Sequence, residues 1–166
     1  NMPSNKKDLR DDQQNKVKAS QAVTLLLDKD NAIYYYEGIP AIDNLKKTSY
    51  GENGLRQILV KKNMAAIQKV KELRRKYESN VSANAFNEKK QRDKFNEELS
   101  EIRGGEGTPN VIIKATDEAT YNNLIDALDE MQICDIGKYV IVPITDFDKQ
   151  MIQHLKDKGG AAAPTK

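Results

Sequence analysis

Only one cysteine, Cys134, and only one histidine, His154, occur in the 166 residues. A single thiol closes no intramolecular disulfide, so the domain must hold together by burial alone. Two Cys and His residues are also a poor basis for a zinc centre, which needs three or four ligands. Long hydrophobic runs are missing as well. Nothing approaches the roughly 18 consecutive apolar residues that cross a bilayer, and no charged-then-apolar signal opens the chain. If the protein works at a membrane, its anchor lies outside these residues. Nor is there charge of one sign: 27 basic against 25 acidic residues leave a net charge of +2, which argues against a strongly basic nucleic-acid binder. With 38% hydrophobic residues and a mean hydropathy of −0.75, the core must be small and part of the chain solvated.

Residues 1–20 hold only Met2, Leu9 and Val17 as sizeable apolar side chains. They cannot offset their own ordering entropy and are expected to form a flexible arm, with Gly159 to Lys166 a second flexible tail. The domain should therefore span 22–158, after an arm over 1–21. Val23 to Leu27 and Ile33 to Tyr36 are apolar, β-branched or aromatic runs separated by Asp28-Lys29-Asp30-Asn31, which reads as a β-hairpin. In a strand Tyr34 and Tyr36 share one face and Tyr35 takes the other, so sheet packing accounts for all three.

Leu55, Ile58, Leu59, Ala66, Ile67, Val70, Leu73 and Tyr77 recur at helical spacing and predict one long helix. Ser49 and Glu52 stand at capping-box spacing ahead of it. A second helix, from about Ala85 to Ile102, has a thin apolar side of Phe86, Phe95, Leu99 and Ile102, and ends in Gly104-Gly105-Glu106-Gly107. Val111-Ile112-Ile113, then Tyr121, Leu124, Ile125, Leu128 and Met131 at helical spacing, then Tyr139 to Val142 ended by Pro143, form a strand–helix–strand unit with parallel strands. Thr145 and Asp148 cap a terminal helix with Phe147, Met151 and Leu155 on one face, stopped by Gly159. The fold class is therefore α+β (a two-layer α/β arrangement). It has a small mixed sheet with an N-terminal hairpin and a βαβ unit, helices on one face, a helical insertion over about 81–108, and a C-terminal helix.

Chemistry is scarce. His154 near the tail reads as a solvated side chain, and Cys134 as a small buried apolar residue. The glycines at 104–107 lead through Thr108-Pro109 into a strand rather than through Gly-Lys-Ser/Thr into a helix, so they form a loop and not a phosphate cradle. Asp126, Asp129, Glu130, Asp146 and Asp148 read as surface carboxylates. No catalytic, cofactor-binding or metal-binding residue is assigned, and the domain is read as non-enzymatic. Between Lys61 and Lys76, seven basic residues (Lys61, Lys62, Lys69, Lys71, Arg74, Arg75, Lys76) face Glu72 alone. Such a stripe suits phosphates, lipid headgroups or an acidic polymer, but reads first as a solvated face. Neither apolar strand of the βαβ unit carries the aromatic pattern of an RNA-binding sheet, so no nucleic-acid partner is expected.

The stretch VIIKATDEATYNNLIDALDEMQICDIGKYVIV resembles the C-terminal motif of the ExbD/TolR family, through Lys114-Ala115, Tyr121, Leu128-Asp129 and Tyr139 to Val142. The hairpin VTLLLDKDNAIYYYEG is similar to the family's opening hairpin. Together they cover about 22–60 and 109–145. Thr116 stands where the family usually has Asp, and the insertion is longer than in compact members. The resemblance implies the periplasmic domain of a single-pass inner-membrane protein, anchored by a helix upstream of Asn1, with the family's functional Asp on that helix. It implies an ExbB/TolQ-type partner, a TonB/TolA-type partner and a homodimer, working in proton-motive-force-driven energy transduction. Within the domain, Tyr139, Val140, Ile141 and Val142 are the candidate recognition strand, because Pro143 ends them without a hairpin partner; core packing accounts for the same residues equally well. Two other readings stay open: a TolR-type peptidoglycan-binding module using the basic helix, and an unrelated cytosolic regulatory α/β domain.

Substituting His154, or changing Cys134 to Ser, should leave function intact apart from a modest packing loss at Cys134. If Cys134→Ser abolished function while circular dichroism stayed unchanged, a chemical site would have been overlooked.

Overall fold

The computed structural model describes residues 21–79 and 85–162; the expected arm over 1–20 and the last residues of the expected tail, 163–166, lie outside them. Five strands form one mixed sheet: β1 (Ala22–Leu27), β2 (Ile33–Glu37), β3 (Lys46–Thr48), β4 (Asn110–Ala115) and β5 (Tyr139–Ile141). Their order is β3-β2-β1-β4-β5. β1 runs antiparallel to β2 and parallel to β4, and β4 runs parallel to β5. The described helices are α1 (Leu55–Lys62), α2 (Met64–Glu78), α3 (Ala85–Arg103), α4 (Tyr121–Ile133) and α5 (Asp146–Ala162). None is long and apolar enough to cross a membrane.

β1 is the middle strand, and Val23 to Leu27 are buried without a break, as expected of a strand with both faces covered. Alternation sends Val23, Leu25 and Leu27 to one face, where they meet Ile33, Val111 and Ile113 of the sheet. Leu55 and Leu59 of α1 and Ala127 and Met131 of α4 cover this face. Leu26 points the other way and joins Tyr34, Tyr36 and Leu45 beneath Met151 and Ile152 of α5. The sheet is thus covered on both faces, with the terminal helix opposite the other core helices rather than on the same side. Tyr34 and Tyr36 do share a face, and Tyr35 packs against the first cluster with the Lys46 ammonium 5.9 Å from its ring centroid.

The hairpin closes as its residues suggest. Ala32 N–H donates to Lys29 C=O at 3.1 Å across Asp30 and Asn31, whose φ angles are 58° and 59°. Two successive positive φ values give a type I′ turn, whose twist matches a hairpin, and Asp and Asn are among the few residues that enter this region readily.

Other expectations are corrected. The long helix is two helices, because Asn63 takes φ −115° and ψ 23° between α1 and α2. Its side-chain amide donates to the carbonyls of Cys134 and Asp135 at 2.9 and 2.8 Å, a tertiary constraint that periodicity does not register. Ser49 and Glu52 form no capping box: α1 starts after Gly54 with no side-chain cap, and Leu55 N–H donates to Ser49 C=O. A Cβ on Gly54 would lie 2.2 Å from that carbonyl oxygen, so only glycine fits there. α5 runs through Gly159 to Ala162. Gly159 and Gly160 each cost the helix only about 1 kcal/mol, and Gly159 does not adopt the positive φ that would end it. β3 was not foreseen at all, since Lys46-Lys47-Thr48 carries no apolar pattern.

The Thr145–Asp148 capping box is present: Asp148 N–H donates to Thr145 Oγ1 at 3.0 Å, and Thr145 N–H donates to Asp148 Oδ2 at 2.9 Å. That Asp148 oxygen also accepts from Lys114 Nζ at 2.8 Å, tying α5 to β4. Burial alone would raise the Asp148 pKa, but the Lys114 ammonium and the donors of Thr145 outweigh it and hold the carboxyl below its ordinary value of 3.8. A depressed carboxyl contributes stability that is fully present above its unfolded pKa of about 3.9 and is lost as pH falls through the lower folded value. Asp148→Asn leaves the Lys114 ammonium without its carboxylate beneath α5 and should cost about 3–5 kcal/mol at neutral pH. Thermal melts from acid to neutral pH should show both the loss and a flatter acid limb. A mutant melting like the parent at pH 7 would contradict this.

Candidate partner-binding edge

The chain reaches β5 by leaving β4, crossing the sheet in α4, and turning through Cys134 to Lys138. Thr120 caps α4 by accepting from Asn123 N–H at 3.1 Å, while the Asn123 carboxamide returns a bond to Thr120 N–H at 2.9 Å. This capping box was missed because Asn, not Glu or Gln, stands at its third position. Arg56 of α1 clamps α4 through two bonds of 3.0 Å to Glu130. Glu130 is therefore buried, which corrects its reading as a surface carboxylate; Asp148 is corrected in the same way. Asp126 and Asp129 are exposed, as is Asp146.

β5 lies at the end of the sheet, with no strand beyond it among the described residues. Tyr139, Val140 and Ile141 are 42%, 50% and 51% exposed, and Val142 is half-buried. The candidate recognition residues therefore sit together on an open edge rather than inside the core. Val111 N–H donates to Lys138 C=O at 2.9 Å, and Val142 N–H donates to Ile113 C=O at 3.0 Å. In a parallel ladder the residues of one strand point their backbone groups alternately toward and away from the neighbour. Lys138, Val140 and Val142 thus face β4, while the N–H and C=O of Tyr139 and Ile141 face outward. The register, Val111 with Tyr139 and Ile113 with Ile141, agrees.

The opposite edge differs. β3 is three residues long and presents Lys46 and Lys47, both exposed, and lysines on a short strand discourage pairing. Of the two edges of the described sheet, only β5 combines free backbone groups with an apolar surface.

Elsewhere the chemistry is structural. The Cys134 thiol is fully buried, and burial, reinforced by Glu130, pushes its pKa up to about 11. It therefore carries almost no thiolate, the nucleophilic form, at neutral pH. His154 Nε2 lies 2.9 Å from Asp43 Oδ1 on the surface. Glycines 104–107 form a loop, closed by Thr108 Oγ1 donating to Gly105 C=O at 2.6 Å. Of the basic stripe, Lys62 pairs with Glu37 at 2.7 Å and the Arg74 guanidinium lies over the Phe95 ring. Lys61, Lys69, Lys71 and Arg75 stay exposed. Tyr77 donates a short hydrogen bond to Glu98, and with burial this raises its pKa to about 12.

Sequence reasoning missed Asn63, Arg103 and Gly137, which set the turn into β5. Arg103 Nε and Nη2 donate to Asp135 Oδ1 at 3.0 and 2.6 Å. A Cβ on Gly137 would come within 2.6 Å of Arg103 Cβ. The one legible signal was the Asp135-Ile136-Gly137 stretch between helix and strand, which suits a tight turn.

The family model described as Biopolymer transport protein ExbD/TolR matches residues 1–143. No curated protein and no solved structure gives a match. The matched span takes in all five strands and stops just past β5, leaving α5 outside. The chain belongs to the ExbD/TolR family of biopolymer transport proteins.

Proposed function

We propose that this domain is the periplasmic, partner-binding part of an energy-transduction component. On this reading it engages a TonB/TolA-type protein by taking up an extended segment along β5, while a membrane helix upstream of Asn1 works with an ExbB/TolQ-type protein. The observation that carries the proposal is the asymmetry of the sheet edges. β5 offers outward N–H and C=O groups at Tyr139 and Ile141 under exposed apolar side chains, whereas β3 is guarded by Lys46 and Lys47. Strand addition uses such an edge, with backbone bonds giving affinity and alternate side chains giving specificity. A second copy of the chain is the competing occupant, consistent with an expected homodimer. The exposed lysines and arginine of α2 support a second reading, electrostatic contact with an anionic cell-wall polymer.

The ladder alternation supplies a test. Ile141→Pro removes an outward donor without breaking a bond to β4, and proline is tolerated on edge strands in such positions. It should therefore fold and weaken binding of a synthetic periplasmic fragment of a TonB-type partner by about tenfold. Ile141→Val should bind nearly as the parent does, and Val140→Pro, which breaks the internal ladder, should destabilise the sheet. Amide shifts in a titration of labelled domain should cluster on 139–142. Shifts confined to Lys61–Lys76 that vanish with salt would replace strand pairing with the electrostatic reading. Concentration-dependent shifts at 139–142 without partner would assign the edge to a second copy.

A further inference from the structure

β5 is only three residues long and is held by one neighbour, so its ladder alone is a weak determinant of where it lies. The turn that delivers it is held by the helices on its N-terminal side. From the α1–α2 junction, the buried Asn63 amide donates to the carbonyls of Cys134 and Asp135. From the last residue of α3, Arg103 grips Asp135 with two bonds, at exposures of 19% and 12% for the two side chains. Gly137 lies so close to that residue that a Cβ would stand 2.7 Å from the Arg103 carbonyl oxygen. One step later Lys138 Nζ donates to Gly105 C=O at 3.2 Å, just past the end of α3. Asp135 itself has φ 57°, a conformation a non-glycine residue keeps only when its surroundings enforce it.

We propose that the α2–α3 helical hairpin is a positioning buttress for the edge strand, with Arg103 and Asn63 as its positioning residues. Lys138 links the hairpin to the strand. Its side chain bonds to the loop after α3, and its carbonyl accepts the first rung of the β4–β5 ladder from Val111. Hairpin and strand are thereby joined at adjacent bonds, so a shift of the end of α3 displaces the start of β5. The helical insertion gains a role on this basis: it sets the pose in which Tyr139 and Ile141 present their outward groups. The functional arm of the inference rests on the reading of β5 as the recognition strand; the positional arm does not.

The experiment compares hydrogen exchange, residue by residue, in the parent domain and three variants. Arg103→Gln removes the grip. Asp135→Asn removes the charge while keeping a residue that tolerates positive φ. Gly137→Ala forces the turn away from α3. Each should speed exchange at the Val111, Val140 and Val142 amides by about tenfold or more, while Leu25 and Leu26 in β1 exchange at the parent rate. The Arg103→Gln/Asp135→Asn double variant should be no worse than the worse single one, as expected for two ends of one interaction. Arg103→Lys, which restores a charge and one bond, should recover part of the protection. A TonB-type partner fragment should bind each single variant more weakly, by about tenfold. Parent-like exchange at the three amides in all folded variants overturns the proposal. Faster exchange with unchanged fragment binding upholds the buttress and overturns β5 as the recognition strand.

Discussion

β1 has a neighbour on each edge and helices over each face, and every other element takes its place from that arrangement. Five consecutive residues, Val23 to Leu27, lose essentially all contact with water, and removing such apolar area from water is the main driving term for a domain without disulfides. Because the side-chain period of a strand is two, Leu25 and Leu26 commit to opposite cores, and a register slip of one residue would exchange the two sets. The parallel pairing of β1 with β4 is compatible with this burial, since parallel strands need covering on both sides. A sheet with a sealed centre must still end somewhere, and it ends in two unlike edges.

Helices are fastened to this sheet by ion pairs as well as by burial. Arg56–Glu130 joins α1 to α4, Lys114–Asp148 joins β4 to α5, and Lys156–Asp28 joins α5 to the end of β1. Each carboxylate is almost fully buried, so each pair is a weak source of net stability, yet removing one partner strands a buried charge and is strongly destabilising. Thr116 belongs to the same system. Its hydroxyl donates to Asp28 Oδ1 at 2.8 Å. A carboxylate in place of Thr116 would confront Asp28 across a hydrogen-bond distance and be disfavoured by like charge.

The parts of the fold that could be read from the residues are those with a strong local pattern. The tyrosine strand, the Asp30-Asn31 turn, the βαβ unit and the Thr145–Asp148 cap each rest on periodicity or turn chemistry within a few residues. What escaped depends on contacts between distant positions. Asn63 breaks a helix because it reaches carbonyls more than seventy residues away, and Glu130 leaves the surface because Arg56 meets it. The buried face of α4 follows Asn123, Ala127 and Glu130 with Met131, not the stripe through Tyr121, which is exposed. The exposed strand β5 was legible as a candidate from Pro143 and its apolar run. Its support was not, since nothing in the charged run of α3 marks Arg103 apart from its neighbours.

The brevity of β5 has a thermodynamic consequence. Alternation leaves the N–H and C=O groups of two residues, Tyr139 and Ile141, facing outward. A net contribution of about 0.5–1.5 kcal/mol per hydrogen bond puts a ceiling of about 2–6 kcal/mol on what backbone pairing can supply, before any loss of translational freedom. Main-chain bonds alone therefore cannot make a long-lived complex at this edge. A strand held there by main-chain bonds alone would dissociate quickly, so side-chain contacts would have to set the lifetime of any longer-lived complex.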